Sequence, residues 1–84
     1  MSKILVVDDE IKACELLKRF LEMKGYDVIT ANSGKDAIEK TKSEKPDAML
    51  LDIRMPGMEG TEVLKRIREF DKDVGIIMVT AVKE

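Results

Sequence analysis

Cysteine is almost absent: Cys14 stands alone among 84 residues. One thiol cannot form an internal disulfide, so the chain is expected to fold unstapled in a reducing compartment, with the cytoplasm as the simplest setting. Aromatic residues are nearly as scarce, with one tyrosine, two phenylalanines and no tryptophan. The core must therefore be aliphatic and methionine-rich. Long apolar runs are missing too. The first, Ile4–Val7, meets acid at Asp8, too soon for a signal-peptide core, and nothing later approaches membrane-spanning length. Nor is there an excess of positive charge: both signs are mixed, and the net charge is −2. Lys3, Lys12, Lys18 and Arg19 make no continuous basic patch and are read as a solvated face. Direct contact with nucleic acid or membrane is not expected of this segment.

What is present is a regular alternation. Ile4–Val7 shows no polar alternation, as expected of a strand covered on both faces. Ile11, Cys14, Leu16, Leu17, Phe20, Leu21 and Met23 then recur at three- and four-residue spacing, and Gly25 follows as a stop. These mark a helix over about residues 10–24. Tyr26–Ala31 reads as a second strand, and Asn32–Ser33–Gly34 as a turn in which Ser33 caps the next helix, with Asp36 in the capping-box position. That helix carries Ala37, Ile38 and Thr41 and cannot pass Lys45, because Pro46 follows. Ala48–Leu51 is a third strand, and IRMPGMEG a loop. Val63, Leu64, Ile67 and Phe70 mark a third helix, and a fourth strand covers about Val74–Val79. The order βαβαβαβ over residues 1–84 implies one α/β domain with a parallel sheet and helices on both faces.

Such sheets bind ligands just beyond the carboxyl ends of their strands. Asp8 and Asp9 follow the first strand, Asp52 the third, and Thr80 the fourth. With neighbouring strands about 4.8 Å apart, the three acids crowd one pocket. Like charges that close are relieved by a hard cation, and Mg²⁺ commonly binds one or two carboxylates together with water and phosphate. The cluster is therefore read as a Mg²⁺ site whose remaining ligand is a phosphoryl oxygen. One carboxylate is placed to act as a nucleophile forming an acyl phosphate, with the Thr80 hydroxyl donating to a phosphoryl oxygen. Singly, each residue has a plainer reading: Asp8–Asp9 as acids opening a helix, Glu10 as a first-turn residue, Thr80 as a β-former, Cys14 as a buried structural thiol. The combination favours the site.

KILVVDDE, GYDVITANSGKDAIE, PDAMLLDIRMPGMEG and IIMVTA together resemble the receiver domain of two-component response regulators, the chemotaxis-Y-like family, over essentially the whole chain. The resemblance implies a flavodoxin-like doubly wound sheet with strand order 2-1-3-4. It implies that Asp52 is the phosphoacceptor, taking phosphate from a sensor histidine kinase. Asp9 would bind Mg²⁺ directly, Asp8 would help to hold it, often through water, and the backbone carbonyl of Arg54 would complete the protein ligands. Thr80 would be the switch hydroxyl, and Ala81 would leave room beside it. Such a domain is a phosphoacceptor with at most slow Mg²⁺-dependent autodephosphorylation, not a turnover enzyme. Glu59 stands where the family more often has aspartate.

The same resemblance implies a further helix, strand and helix after Thr80, with a lysine that pairs with the phosphoryl group and an aromatic residue that follows the threonine. Lys83 is too near Thr80 for that lysine. The sequence is therefore expected to be a partial receiver, with impaired activity and a homodimer or other oligomer formed through the exposed fourth strand, VGIIMVTAV. An inert or regulatory fragment acting only through protein contacts is the alternative. An aspartyl phosphohydrolase would want an acid where Arg54 stands, and a flavin or nucleotide binder would not place three acids in its first loop.

Overall fold

In the computed structural model, which describes residues 2–55 and 57–79, the elements run β1 (Lys3–Val7), α1 (Ile11–Met23), β2 (Asp27–Ala31), α2 (Gly34–Glu44), β3 (Ala48–Asp52), α3 (Gly60–Arg68) and β4 (Gly75–Val79). The four strands form one parallel sheet in the order β2-β1-β3-β4. Both the element order and the strand order are those expected from the sequence. Boundaries differ by a residue or two: Tyr26 and Val74 precede their strands rather than opening them.

β1 is central, and Ile4–Val7 are all buried. That is why the run lacks alternation, since side chains on both faces meet a helix layer. On one face Cys14, Leu17 and Leu21 of α1 pack on Ile4, Val6, Val28, Ala48 and Leu50. On the other, Ala37 and Ile38 of α2 and Val63, Leu64 and Ile67 of α3 cover Leu5, Val7, Met49 and Leu51. Helix punctuation follows local chemistry. Ser33 Oγ accepts the Asp36 amide at 3.1 Å and caps α2. α1 closes on Gly25 at φ +94°, with the Tyr26 amide donating to the Leu21 carbonyl at 3.1 Å. This is the left-handed stop that glycine adopts without strain.

Four of the apolar positions that marked α1 do not reach the sheet. Ile11, Leu16, Phe20 and Met23 are 62%, 66%, 55% and 84% exposed. The apolar stripe of α1 is wider than the surface beneath it.

Candidate functional site

The sheet reverses direction in strand order beside β1, whose successor β2 lies on one side and whose second neighbour β3 lies on the other. Loops leaving β1 and β3 therefore part in opposite directions and open a crevice between them, the usual ligand position in such sheets. Register fixes what lines it. Val7 pairs with Ala31 on β2 and with Leu51 on β3. One residue further, Asn32, Asp8 and Asp52 fall in a single row, and Asp52 pairs with Val79 of β4. Residues level with one another in parallel strands share a face, so the row is a structural consequence of where each apolar run ends.

Asp8, Asp9 and Asp52 each bring a carboxylate oxygen into a group whose members lie within 4.8 Å of one another. Asp52 is 3% exposed, while Asp8 and Asp9 are half-buried. Two of the acids are oriented by their own loops. Asp8 Oδ1 accepts the Glu10 amide at 2.9 Å, and Asp52 Oδ1 accepts the Arg54 amide at 3.1 Å. Each short turn fixes a carboxylate through the amide two residues on. Glu10 is the N-cap residue of α1 rather than part of its first turn. Thr80, expected to bring its hydroxyl to this rim, lies outside the described residues, as do Ala81 and Lys83.

The floor of the site is held from below by α3. The Gly60 amide donates to the Ile53 carbonyl at 2.8 Å, and the Ile53 amide donates to the Val79 carbonyl at 3.3 Å. A Cβ on Gly60 would lie 2.5 Å from the Asp52 carbonyl oxygen and 2.8 Å from Ile53 Cα. Glycine is therefore required for the end of β3 and the start of α3 to approach this closely. Met55, expected in an open loop, is buried in the core beneath the same segment.

On the opposite side the Asp8 backbone is clasped. Its amide donates to the Ala31 carbonyl at 3.1 Å. Its carbonyl accepts from Asn32 Nδ2 at 2.9 Å and from Cys14 Sγ at 3.4 Å, and Asn32 Nδ2 is also 3.4 Å from that sulfur. Sequence reasoning read Asn32 only as a turn residue. The signal that it belongs to the site is its position directly after β2, level with Asp8. Burial, followed by the charge of Asp8, pushes the Cys14 thiol above its ordinary value of 9.0. The neutral thiol is thus retained as a weak donor, and Cys14 is the buried structural cysteine expected. In the native protein, labelling by iodoacetamide should stay at least about 100-fold slower than in urea, even near pH 9. The linkage has a definite sign. Above 9.0 the unfolded chain binds fewer protons than the native one, so this contribution to stability is complete below that pH and declines as pH rises through it. A urea-midpoint series from pH 7 to 10 for wild type and Cys14→Ala reads the difference.

The donor set is chemically suited to a hard divalent cation. Three carboxylates supply oxygen ligands only, with no thiolate or imidazole among the three, and their clustering places several negative charges where a cation offsets them. Asp52 is the most enclosed of the three, and the half-buried pair Asp8–Asp9 leaves the crevice accessible.

Comparison with known proteins agrees with the fold. The model of the response regulator receiver domain matches residues 4–84. The alkaline phosphatase synthesis transcriptional regulatory protein PhoP of Bacillus subtilis is 48% identical over 83 residues, covering 99% of this chain and 35% of PhoP. Response regulator protein TrrA of Thermotoga maritima, solved in complex with Mg(2+)-BeF, superposes with a TM-score of 0.92 at 47% identity, over 99% of this chain and 72% of TrrA. A structure of TrrA in complex with histidine kinase ThkA gives a TM-score of 0.90 at 46% identity, over 100% of this chain and 72% of that one. The chain belongs to the response regulator receiver family, with the flavodoxin-like topology its sheet shows. It spans about a third of the length of a curated transcriptional regulator such as PhoP.

Proposed function

We propose that this domain receives a phosphoryl group on Asp52 from the phosphohistidine of a sensor histidine kinase, in a Mg²⁺-dependent phosphorelay. A carboxylate oxygen of Asp52 attacks phosphorus, the histidine N–P bond breaks with its electron pair returning to the imidazole, and an aspartyl phosphate remains. The row of Asp8 and Asp52 at adjacent strand ends, closed by Asp9, is the observation that carries this reading. Asp9 and Asp52 would hold Mg²⁺ directly, Asp8 would assist, and the Arg54 carbonyl would face it from the loop whose turn is already fixed by Asp52. A bound cation supplies charge neutralisation between an anionic nucleophile and an anionic phosphoryl group. The TrrA complex with Mg(2+)-BeF supports the assignment, because beryllium fluoride has the charge and shape of a phosphoryl group. The TrrA–ThkA complex supports the kinase as donor. Thr80 is assigned the switch hydroxyl, and release of phosphate is slow hydrolysis of the acyl phosphate rather than turnover of a substrate.

Incubation with a small acyl-phosphate donor and Mg²⁺, read by intact mass, tests the reading. One added phosphoryl group is expected with Mg²⁺ and none with excess EDTA. Mass gain that is indifferent to EDTA contradicts the metal's role. No gain in either condition favours a fragment that acts only through protein contacts.

We further propose self-association through β4. Among the described residues it is an edge strand, and Ile77 and Val79 on it are 59% and 39% exposed. An apolar edge of this kind is a template for pairing with a second copy. Sedimentation velocity of the 84-residue chain at low micromolar concentration should show a dimer or larger species; a folded monomer throughout would contradict it. No helix among the described residues is long and apolar enough to cross a membrane. The cytoplasm is proposed as the setting because a kinase's phosphorylated domain would meet the receiver there.

A further inference from the structure

We infer that Asn32 is a positioning residue for the cation site, acting through the backbone of Asp8; the inference rests on the Mg²⁺ reading above. The β1–β2 ladder reaches its last rung at the Asp8 amide, which donates to the Ala31 carbonyl at 3.1 Å. One residue further, the chain leaving β2 turns away into α2, with Ser33 already serving as its N-cap. The side-chain amide of Asn32 takes over there and donates to the Asp8 carbonyl at 2.9 Å. It thus extends the ladder by one rung after the backbone has left it.

That added rung falls where it matters for the acids. Asp8 is joined to Ala31 through its amide, to Asn32 and the Cys14 thiol through its carbonyl, and to Glu10 through its carboxylate. The peptide unit whose oxygen Asn32 holds is the one linking Asp8 to Asp9. Rotation about the Asp8 Cα–C bond, which carries that oxygen with it, would swing the Asp9 Cα and alter the spacing of the Asp9 carboxylate relative to Asp8 and to Asp52, the latter set independently by β3 and α3. Asn32 is exposed, and its long-range hydrogen bonds go to Asp8 and Cys14. Packing therefore gives it little to do, whereas the hydrogen bond to Asp8 spans 24 residues of sequence. Groups that orient metal ligands commonly influence affinity more than their own exposure suggests.

The test uses Asn32→Ala and Asn32→Leu, the second keeping the side chain's size while removing the donor. Mg²⁺ binding is titrated by calorimetry, and phosphoryl uptake is measured at saturating Mg²⁺. Both variants are expected to raise the half-saturating Mg²⁺ concentration about three- to ten-fold, as loss of one orienting hydrogen bond does. Uptake at saturating Mg²⁺ should stay within about two-fold of wild type. In metal-free protein, hydrogen exchange of the Glu10 amide should accelerate in both. Wild-type Mg²⁺ titrations in both variants overturn the inference. So does a lower saturating rate at unchanged half-saturation, which would place Asn32 in the reaction or the fold instead. If wild type itself binds no Mg²⁺, the metal reading fails first. An unchanged Glu10 exchange rate then separately overturns the clasp.

Discussion

Asp52→Asn is expected to abolish phosphoryl uptake, with a loss of at least on the order of 10³-fold, below detection by intact mass. The amide that replaces the carboxylate is not a nucleophile, although its oxygen can still accept the Arg54 amide that Asp52 Oδ1 accepts at 3.1 Å. The loop geometry should therefore survive. The effect on stability is expected to have the opposite sign. Three carboxylates lie within 4.8 Å of one another with Asp52 almost fully enclosed, so removing one charge relieves repulsion in the metal-free state. A gain of about 1 kcal/mol, or roughly 4–8 °C in melting temperature for a domain this small, should appear in EDTA and shrink in Mg²⁺. Thermal melts of both proteins in the two buffers check it. A destabilised metal-free variant would show that the charge of Asp52 is offset within the protein, and would contradict the repulsion argument.

Gly60→Ala is expected to cost about 3 kcal/mol, the upper part of the range for overpacking, lowering the melting temperature by on the order of 10–20 °C. The reason is local. The new methyl would sit 2.5 Å from the Asp52 carbonyl oxygen and 2.8 Å from Ile53 Cα, and both are backbone atoms that cannot swing aside as a flexible side chain would. Either α3 retreats, breaking the 2.8 Å bond from the Gly60 amide to Ile53, or the end of β3 shifts and carries Asp52 with it. Mg²⁺ affinity should fall along with stability. Gly57→Ala is the matched control. It has φ +85° but open space around its Cβ direction, so about 1–2 kcal/mol of left-handed strain is expected and no displacement of Asp52. Equal losses from the two substitutions would remove the close-approach argument.

The fold was legible because its decisive signals are local. The unbroken apolar run of β1, the Ser33 cap, the stop at Gly25 and the break at Pro46 each have one physical meaning, and together they leave one order of elements. The acids were legible because strand ends in a parallel sheet share a rim. Other features were not, for reasons that differ. Periodicity marked Leu16, Phe20 and Met23 together with Cys14, Leu17 and Leu21, but it does not say which of two adjoining stripes faces the sheet; only the second set does. Met55 reads as a loop residue beside Pro56, and its burial depends on α3 folding back beneath the loop. Asn32 reads as turn chemistry, and its contact with Asp8 depends on a register between strands that no single segment encodes. Gly60 looked like one more loop glycine, yet it opens α3 against the backbone of the acid-bearing strand.

Reduction of the phosphorylated protein with borohydride, followed by tandem mass spectrometry, tests the central claim most directly. An aspartyl phosphate is an activated carboxyl group and is reduced to homoserine, whereas a free carboxylate is not. The acid row at the ends of β1 and β3 predicts homoserine at position 52 alone, formed only when phosphodonor and Mg²⁺ are both present. Homoserine at position 8 or 9, or a phosphorylated protein that yields none, would contradict it.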